Sequence, residues 1–110
     1  METTYAHTDL TRDEVDQWPG AAVLEFGANW CGICQAAQGV IADALAARAP
    51  LRHLKIEDGR GRPLGRSFGV KLWPTLVMLQ DGREVARVVR PSGSREIADA
   101  LAKLDSAPAT

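Results

Sequence analysis

Residues 21–26, AAVLEF, form an almost unbroken apolar run set off by Pro19 and Gly20 on one side and Gly27 on the other. A run without polar alternation fits a strand covered on both faces, the situation of an inner strand with helices packed above and below the sheet. Glu25 is the one interruption, a carboxylate where the pattern asks for an apolar side chain. Directly downstream, residues 29–35 read NWCGICQ and hold both cysteines of the chain, Cys31 and Cys34. From there Ile33, Ala36, Ala37, Val40, Ile41, Ala44 and Leu45 recur at helical spacing. A strand, a tight turn and a helix start therefore meet at the cysteine pair.

The flanking segments carry their own signals. Thr11 with Glu14 forms a capping box, Leu10 and Val15 stand at the staple positions, and a first helix is expected over about 12–18, stopped by Pro19 and Gly20. The second helix is expected to run from Cys31 to about Arg48, because Pro50 disfavours helical geometry in the residue before it. Residues 51–57 read as a third strand, and the Gly- and Arg-rich stretch after them as a loop. Pro63 opens a short helix closed by Gly69. Residues 75–80 and 83–89 form a hairpin around Asp81 and Gly82, a pair suited to a type I′ turn. A last helix is expected over 95–104, capped by Ser94, with Ile97, Leu101 and Leu104 on one stripe. In order this is β-α-β-α-β, a short helix, a β-hairpin and a helix, which implies an α/β fold with a mixed sheet and helices on both sides.

At 110 residues and 45% hydrophobic side chains, the chain is expected to form one domain over 1–110, with about 105–110 as a frayed tail. Thirteen Lys and Arg against fourteen Asp and Glu leave a net charge of −1, so no global field favours nucleic acid or an acidic membrane surface. No segment approaches the roughly 18 apolar residues of a membrane helix, and the N-terminus lacks a basic run followed by an apolar stretch. A soluble, cytoplasmic protein is expected. In a reducing compartment an isolated Cys-x-x-Cys is a redox or metal-binding group rather than a structural bridge. Only His7 and His53 could complete a four-ligand metal site and neither has paired spacing, so no metal is expected and both histidines are read as carrying no chemistry.

A helix opening at Cys31 places that sulfur among unsatisfied backbone N–H groups at the positive end of the helix dipole, which favours thiolate over thiol. Cys31 is the expected nucleophile. Cys34, one turn further in, is placed to attack a mixed disulfide on Cys31 and release the product. Glu25, inside an apolar strand, is expected to have a raised pKa through desolvation.

The segment AAVLEFGANWCGICQ resembles the active-site segment of thioredoxins, and KLWPTLVMLQDGREV resembles their proline loop and hairpin. The resemblance implies a thioredoxin fold, with a central mixed five-stranded sheet of order 1-3-2-4-5 flanked by helices on both faces. It implies a thiol–disulfide oxidoreductase that reduces protein disulfides through a mixed-disulfide intermediate. Such a protein needs no bound cofactor and draws electrons from a thioredoxin reductase; a monomer is expected. In that frame Cys31 attacks and Cys34 resolves. Trp30, Gly32, Ile33, Trp73 and Pro74 would face the substrate, the Trp73–Pro74 peptide being cis and offering the backbone of Trp73 to an extended substrate strand. Glu25 would accept the proton of Cys34, and Lys55 would stand beside it, pulling its pKa back down if within about 4–6 Å.

The chain departs from thioredoxins at several points. Ile33 replaces the usual proline at a position that tunes the potential, Gly27 replaces an aromatic, Gly39 falls where a proline kinks the helix, Trp73 is bulkier than the common isoleucine, and a glycine is missing near Arg90 and Pro91. Two other readings accommodate the same cysteines: a higher-potential disulfide oxidase or isomerase, and a non-catalytic thioredoxin-like module that binds or assembles a partner protein.

Overall fold

A computed structural model describes residues 4–48 and 50–106. The elements are α1 (Arg12–Asp16), β1 (Ala21–Gly27), α2 (Gly32–Ala46), β2 (Arg52–Glu57), α3 (Pro63–Ser67), β3 (Thr75–Gln80), β4 (Arg83–Val89) and α4 (Ser94–Ser106). The sheet order is β2-β1-β3-β4, with β1 parallel to β2 and the other two pairs antiparallel. β1 is thus an inner strand, as its apolar run requires, and it is buried almost throughout.

Alternation along β1 divides the interior into two cores. Val23 points with Leu76, Met78 and Val88 toward α2 and α4, where Ile41, Leu45, Ile97, Leu101 and Leu104 complete the layer. Ala22, Leu24 and Phe26 point the other way, onto Val15 of α1 and Leu64 and Phe68 around α3. Each fully buried Leu, Ile or Phe side chain contributes about 1.5–3 kcal/mol relative to exposure. These two layers fix the sheet between its helices.

Among the described residues the sheet has four strands rather than five. Ahead of α1 only Ala6 pairs, as an isolated parallel bridge to Ile56 with Ala6 N–H on the Lys55 carbonyl at 3.1 Å and the Ala6 carbonyl on Glu57 N–H at 2.9 Å. The chain on either side of Ala6 is held by side chains. The side-chain amide of Asn29 takes both the N–H (2.8 Å) and the carbonyl (3.0 Å) of Tyr5, and the Thr8 hydroxyl accepts Leu10 N–H at 3.1 Å, turning the chain toward α1.

Helix boundaries follow their caps. The Thr11–Glu14 capping box is formed, but α1 stops at Asp16, two residues short of the expected end. Cys31 is the N-cap of α2 rather than its first helical residue, and the helix closes at Ala46. Residue 49 lies outside the described residues. Ser94 lies within the first turn of α4; the backbone N–H of Ser92 donates to the Glu96 carboxylate at 2.8 Å. α4 continues through 106, and the Asp105 carboxylate pairs with Arg48 beyond the end of α2. Of the tail expected to fray, residues 105 and 106 are helical and 107–110 lie outside the described residues.

The hairpin turn has positive φ at both Asp81 (52°) and Gly82 (80°), as a type I′ turn demands. A Cβ at Gly82 would fall 2.2 Å from the Asp16 carbonyl oxygen, so α1 packs directly on the turn. Gly39, by contrast, is an exposed mid-helix glycine whose Cβ would meet open space. Gly39→Ala is therefore expected to stabilise the fold by about 0.5–1 kcal/mol through helix propensity alone, read as a shift in urea midpoint at unchanged slope.

Candidate active site

The turn leaving β1 delivers the dithiol. Cys31, with an extended backbone, caps α2, and its Sγ accepts the backbone N–H of Cys34 at 3.2 Å. Both cysteines are free. Cys31 is 8% exposed and Cys34 not at all, so Cys31 is the sulfur open to another molecule. Burial, reinforced by the neighbouring Cys31, pushes the Cys34 thiol up to about 11. Cys34 therefore rests as a protonated thiol.

Glu25 points from β1 to the α2 side and is fully buried. One carboxylate oxygen accepts the Tyr5 hydroxyl, the Gln38 amide at 3.0 Å and Lys55 Nζ at 3.0 Å; the other meets His53 Nε2 at 2.9 Å. Burial alone would raise the pKa of this acid, but the hydrogen bonds from His53, Tyr5 and Gln38, with the charge of Lys55, outweigh it and hold it at about 2. This reverses the elevation expected from desolvation. The same carboxylate, together with burial, raises the pKa of Tyr5.

Three members of this cluster were not singled out as functional in the sequence. Tyr5 comes from the segment before α1, Gln38 sits one turn beyond Cys34 on α2, and His53 had been read as chemically idle. Gln38 also donates to the Tyr5 oxygen at 3.0 Å and to the Cys34 carbonyl at 2.9 Å, and its own oxygen accepts Lys55 Nζ. A signal existed for each. In the β1–β2 register Val23 faces His53 and Glu25 faces Lys55, so the two-residue spacing of His53 and Lys55 puts both on one face. The four-residue spacing of Cys34 and Gln38 does the same on a helix. Gly27 marked the place of Tyr5: a Cβ there would lie 2.5 Å from the Tyr5 ring and 2.9 Å from Cys34 Sγ. Where thioredoxins carry an aromatic on the strand, this chain leaves a gap that an aromatic from another segment fills.

On the outer side, the Trp73–Pro74 peptide is cis and Trp73 packs against Tyr5, Ala28, Cys31 and Cys34. Trp30, 78% exposed, meets Trp73 edge-on with ring centroids 5.5 Å apart, and Trp73 Nε1 donates to Asp58 at 2.8 Å. Gly32, Ile33 and Leu72 are also exposed. Pro74 is buried. The carbonyl of Trp73, expected to be available to a substrate strand, instead accepts Arg90 Nε at 2.9 Å.

A free Cys-x-x-Cys pair at the start of the helix after an inner strand, beside a cis-proline loop, is the arrangement of a thiol–disulfide oxidoreductase of thioredoxin fold. The sequence model of the thioredoxin family matches residues 4–103, and the chain belongs to that family, whose members reduce disulfides with electrons from thioredoxin reductase. It is 42% identical over 72 residues to thioredoxin of Chlamydia muridarum, covering 64% of this chain and 69% of that one. It is 32% identical over 88 residues to thioredoxin H-type 1 of Nicotiana tabacum, covering 80% and 68%. Among solved structures, reduced thioredoxin 2 from Pseudomonas aeruginosa matches with a TM-score of 0.85 at 49% identity, covering 97% of this chain and all of that one. No helix among the described residues is long and apolar enough to cross a membrane.

The depressed Glu25 pKa has a measurable consequence. A carboxyl at about 2 in the folded chain and 4.5 when unfolded stabilises the fold fully above 4.5, and the contribution is lost as pH falls toward 2. At neutral pH it amounts to roughly 3 kcal/mol. Glu25→Gln is expected to be less stable at pH 7, because Lys55 is left buried without its counter-charge, and to show a flatter loss of stability between pH 4.5 and 2. Urea unfolding across that pH range checks both.

Proposed function

We propose that residues 1–110 act as one monomeric cytoplasmic domain in electron transport, reducing protein disulfides and being re-reduced by a thioredoxin reductase. The sulfur of Cys31 attacks one sulfur of the substrate disulfide; that S–S bond breaks, a first substrate thiolate leaves, and a mixed disulfide remains on Cys31. Cys34 then attacks Cys31. Its S–S bond forms as the mixed disulfide breaks, and the second substrate thiolate departs and takes a proton from water. The substrate has gained two electrons and the chain has lost them.

The carrying observation is the asymmetry of the pair, Cys31 at the mouth of α2 and Cys34 sealed behind it as a thiol. In this reading Cys34 must lose its proton during attack, and the Tyr5 hydroxyl next to it leads to Glu25. With Glu25 held at about 2 in the resting dithiol, the transfer is completed only as the Cys34 sulfur forms its new bond and ceases to compete for the proton. Lys55 positions the carboxylate. Trp30, Gly32, Ile33 and Trp73 form the surface on which the substrate disulfide rests, and the buried Pro74 shapes the loop that carries Trp73.

Cys34→Ser is expected to accumulate a mixed disulfide through Cys31 with a protein substrate, while Cys31→Ser accumulates none. Either change lowers turnover on the order of 10³-fold or more, because each group forms a covalent bond in the cycle. Mass spectrometry of the trapped adduct and a disulfide-reduction assay read the two effects. A Cys34→Ser protein that traps nothing, from a wild type that reduces no disulfide, would leave only the non-catalytic binding module.

A further inference from the structure

Arg90, directly after β4, has φ of 50°, a left-handed backbone unfavourable for a residue with a Cβ. Its backbone N–H donates to the Pro74 carbonyl and its side-chain Nε to the Trp73 carbonyl, both at 2.9 Å. One residue thus occupies the two carbonyls of the loop beside the dithiol. The guanidinium is exposed, and no carboxylate of the described residues pairs with it. Lys71, two residues before Trp73, is likewise exposed without a carboxylate partner, whereas the Asp58 carboxylate is engaged by the Trp73 indole. Trp30 and Ile33, flanking the dithiol in sequence, and Leu72, before Trp73, are exposed apolar side chains.

A peptide that docks as an extended strand on this loop needs the Trp73 carbonyl for a backbone hydrogen bond. Arg90 already donates a charge-assisted bond to one lone pair of that carbonyl, so an incoming N–H competes with it. A neutral peptide returns only an ordinary amide–carbonyl bond in exchange. A peptide with a carboxylate beside its cysteine also gives the freed guanidinium a planar, bidentate partner, while a lysine there would face Arg90 and Lys71 with like charge.

We propose that Arg90 determines substrate specificity, selecting disulfide segments that carry Asp or Glu next to the cysteine that Cys31 attacks. On docking, Arg90 releases the Trp73 carbonyl to the substrate backbone and pairs with that side-chain carboxylate. The inference rests on Cys31 being the attacking thiol.

The test uses N-acetylated, C-amidated peptides with one cysteine held as a disulfide to 2-mercaptoethanol, identical except for Glu, Gln or Lys beside that cysteine. Their kcat/KM values are divided by their rates with free dithiothreitol, which removes the intrinsic effect of each charge on the disulfide. At low salt the Glu peptide is expected to exceed Gln by about three- to tenfold and Lys by more, with the gap narrowing as salt is added. Arg90→Gln should bring the three within about twofold, and Arg90→Glu should reverse their order. Equal normalised values in the wild type, or a preference that survives Arg90→Gln, overturns the role of Arg90 while the dithiol reading stands. Failure of the wild type to reduce even neutral 2-hydroxyethyl disulfide overturns both.

Discussion

A fully buried, ionised carboxylate sits one layer beneath the buried Cys34, and the surrounding elements give it donors. Removing a carboxylate from water is expensive unless it is paired and hydrogen-bonded. Glu25 meets that condition with two cationic or basic side chains from β2, an amide from α2 and a phenol from the segment ahead of α1. Three stretches of chain converge on one side chain. The β1–β2 register, the rotation of α2 and the N-terminal bridge at Ala6 bring those donors within reach. The polar cluster is thus a structural constraint before it is a chemical one, and it leaves no buried side-chain polar atom of the described residues without a partner.

The chemistry of the pair was legible in a short stretch of sequence, because strand, turn and helix start are local and each leaves its own pattern. What surrounds Glu25 was harder to see, because its partners lie 13 to 30 positions away and meet it only through sheet register and helix rotation. Lys55 was found through a resemblance. His53 was passed over although the same strand alternation that orients Lys55 orients it as well. The sign of the Glu25 shift depended on counting donors, and a sequence does not count them: burial was visible in the apolar run, whereas Tyr5 and Gln38 became partners only in three dimensions.

The elements with strong local chemistry, namely the Thr11–Glu14 box, the Asp81–Gly82 turn and the apolar stripe of α4, formed where the sequence placed them. Discrepancies arose at the N-terminal segment and at element ends. Where a first strand is expected, only Ala6 of the described residues ahead of α1 pairs with β2. α4 runs past its expected end, and its added turn carries Asp105, paired with Arg48. Element ends are where propensity leaves the boundary loose. Asn29, in the turn before Cys31, holds the backbone of Tyr5 and so ties the N-terminal segment to the turn that presents Cys31.

The two sulfurs divide the site into halves that answer to different physics. Behind Cys34 the environment is closed and polar, and its state is set by burial and by the donors around Glu25, none of which a substrate touches. On the side of Cys31 lie exposed apolar side chains, Trp30 and Ile33, and the loop whose Trp73 carbonyl Arg90 holds. The wall between these halves is the turn from Gly27 to Cys31 with Trp73 packed on it. Substitutions in front can therefore alter which disulfides are accepted while leaving the proton chemistry behind unchanged. Gly27 is the exception: with Tyr5 and Cys34 Sγ both within 3 Å of where its Cβ would be, any side chain there would disturb the back of the site through the same atom that lets it close.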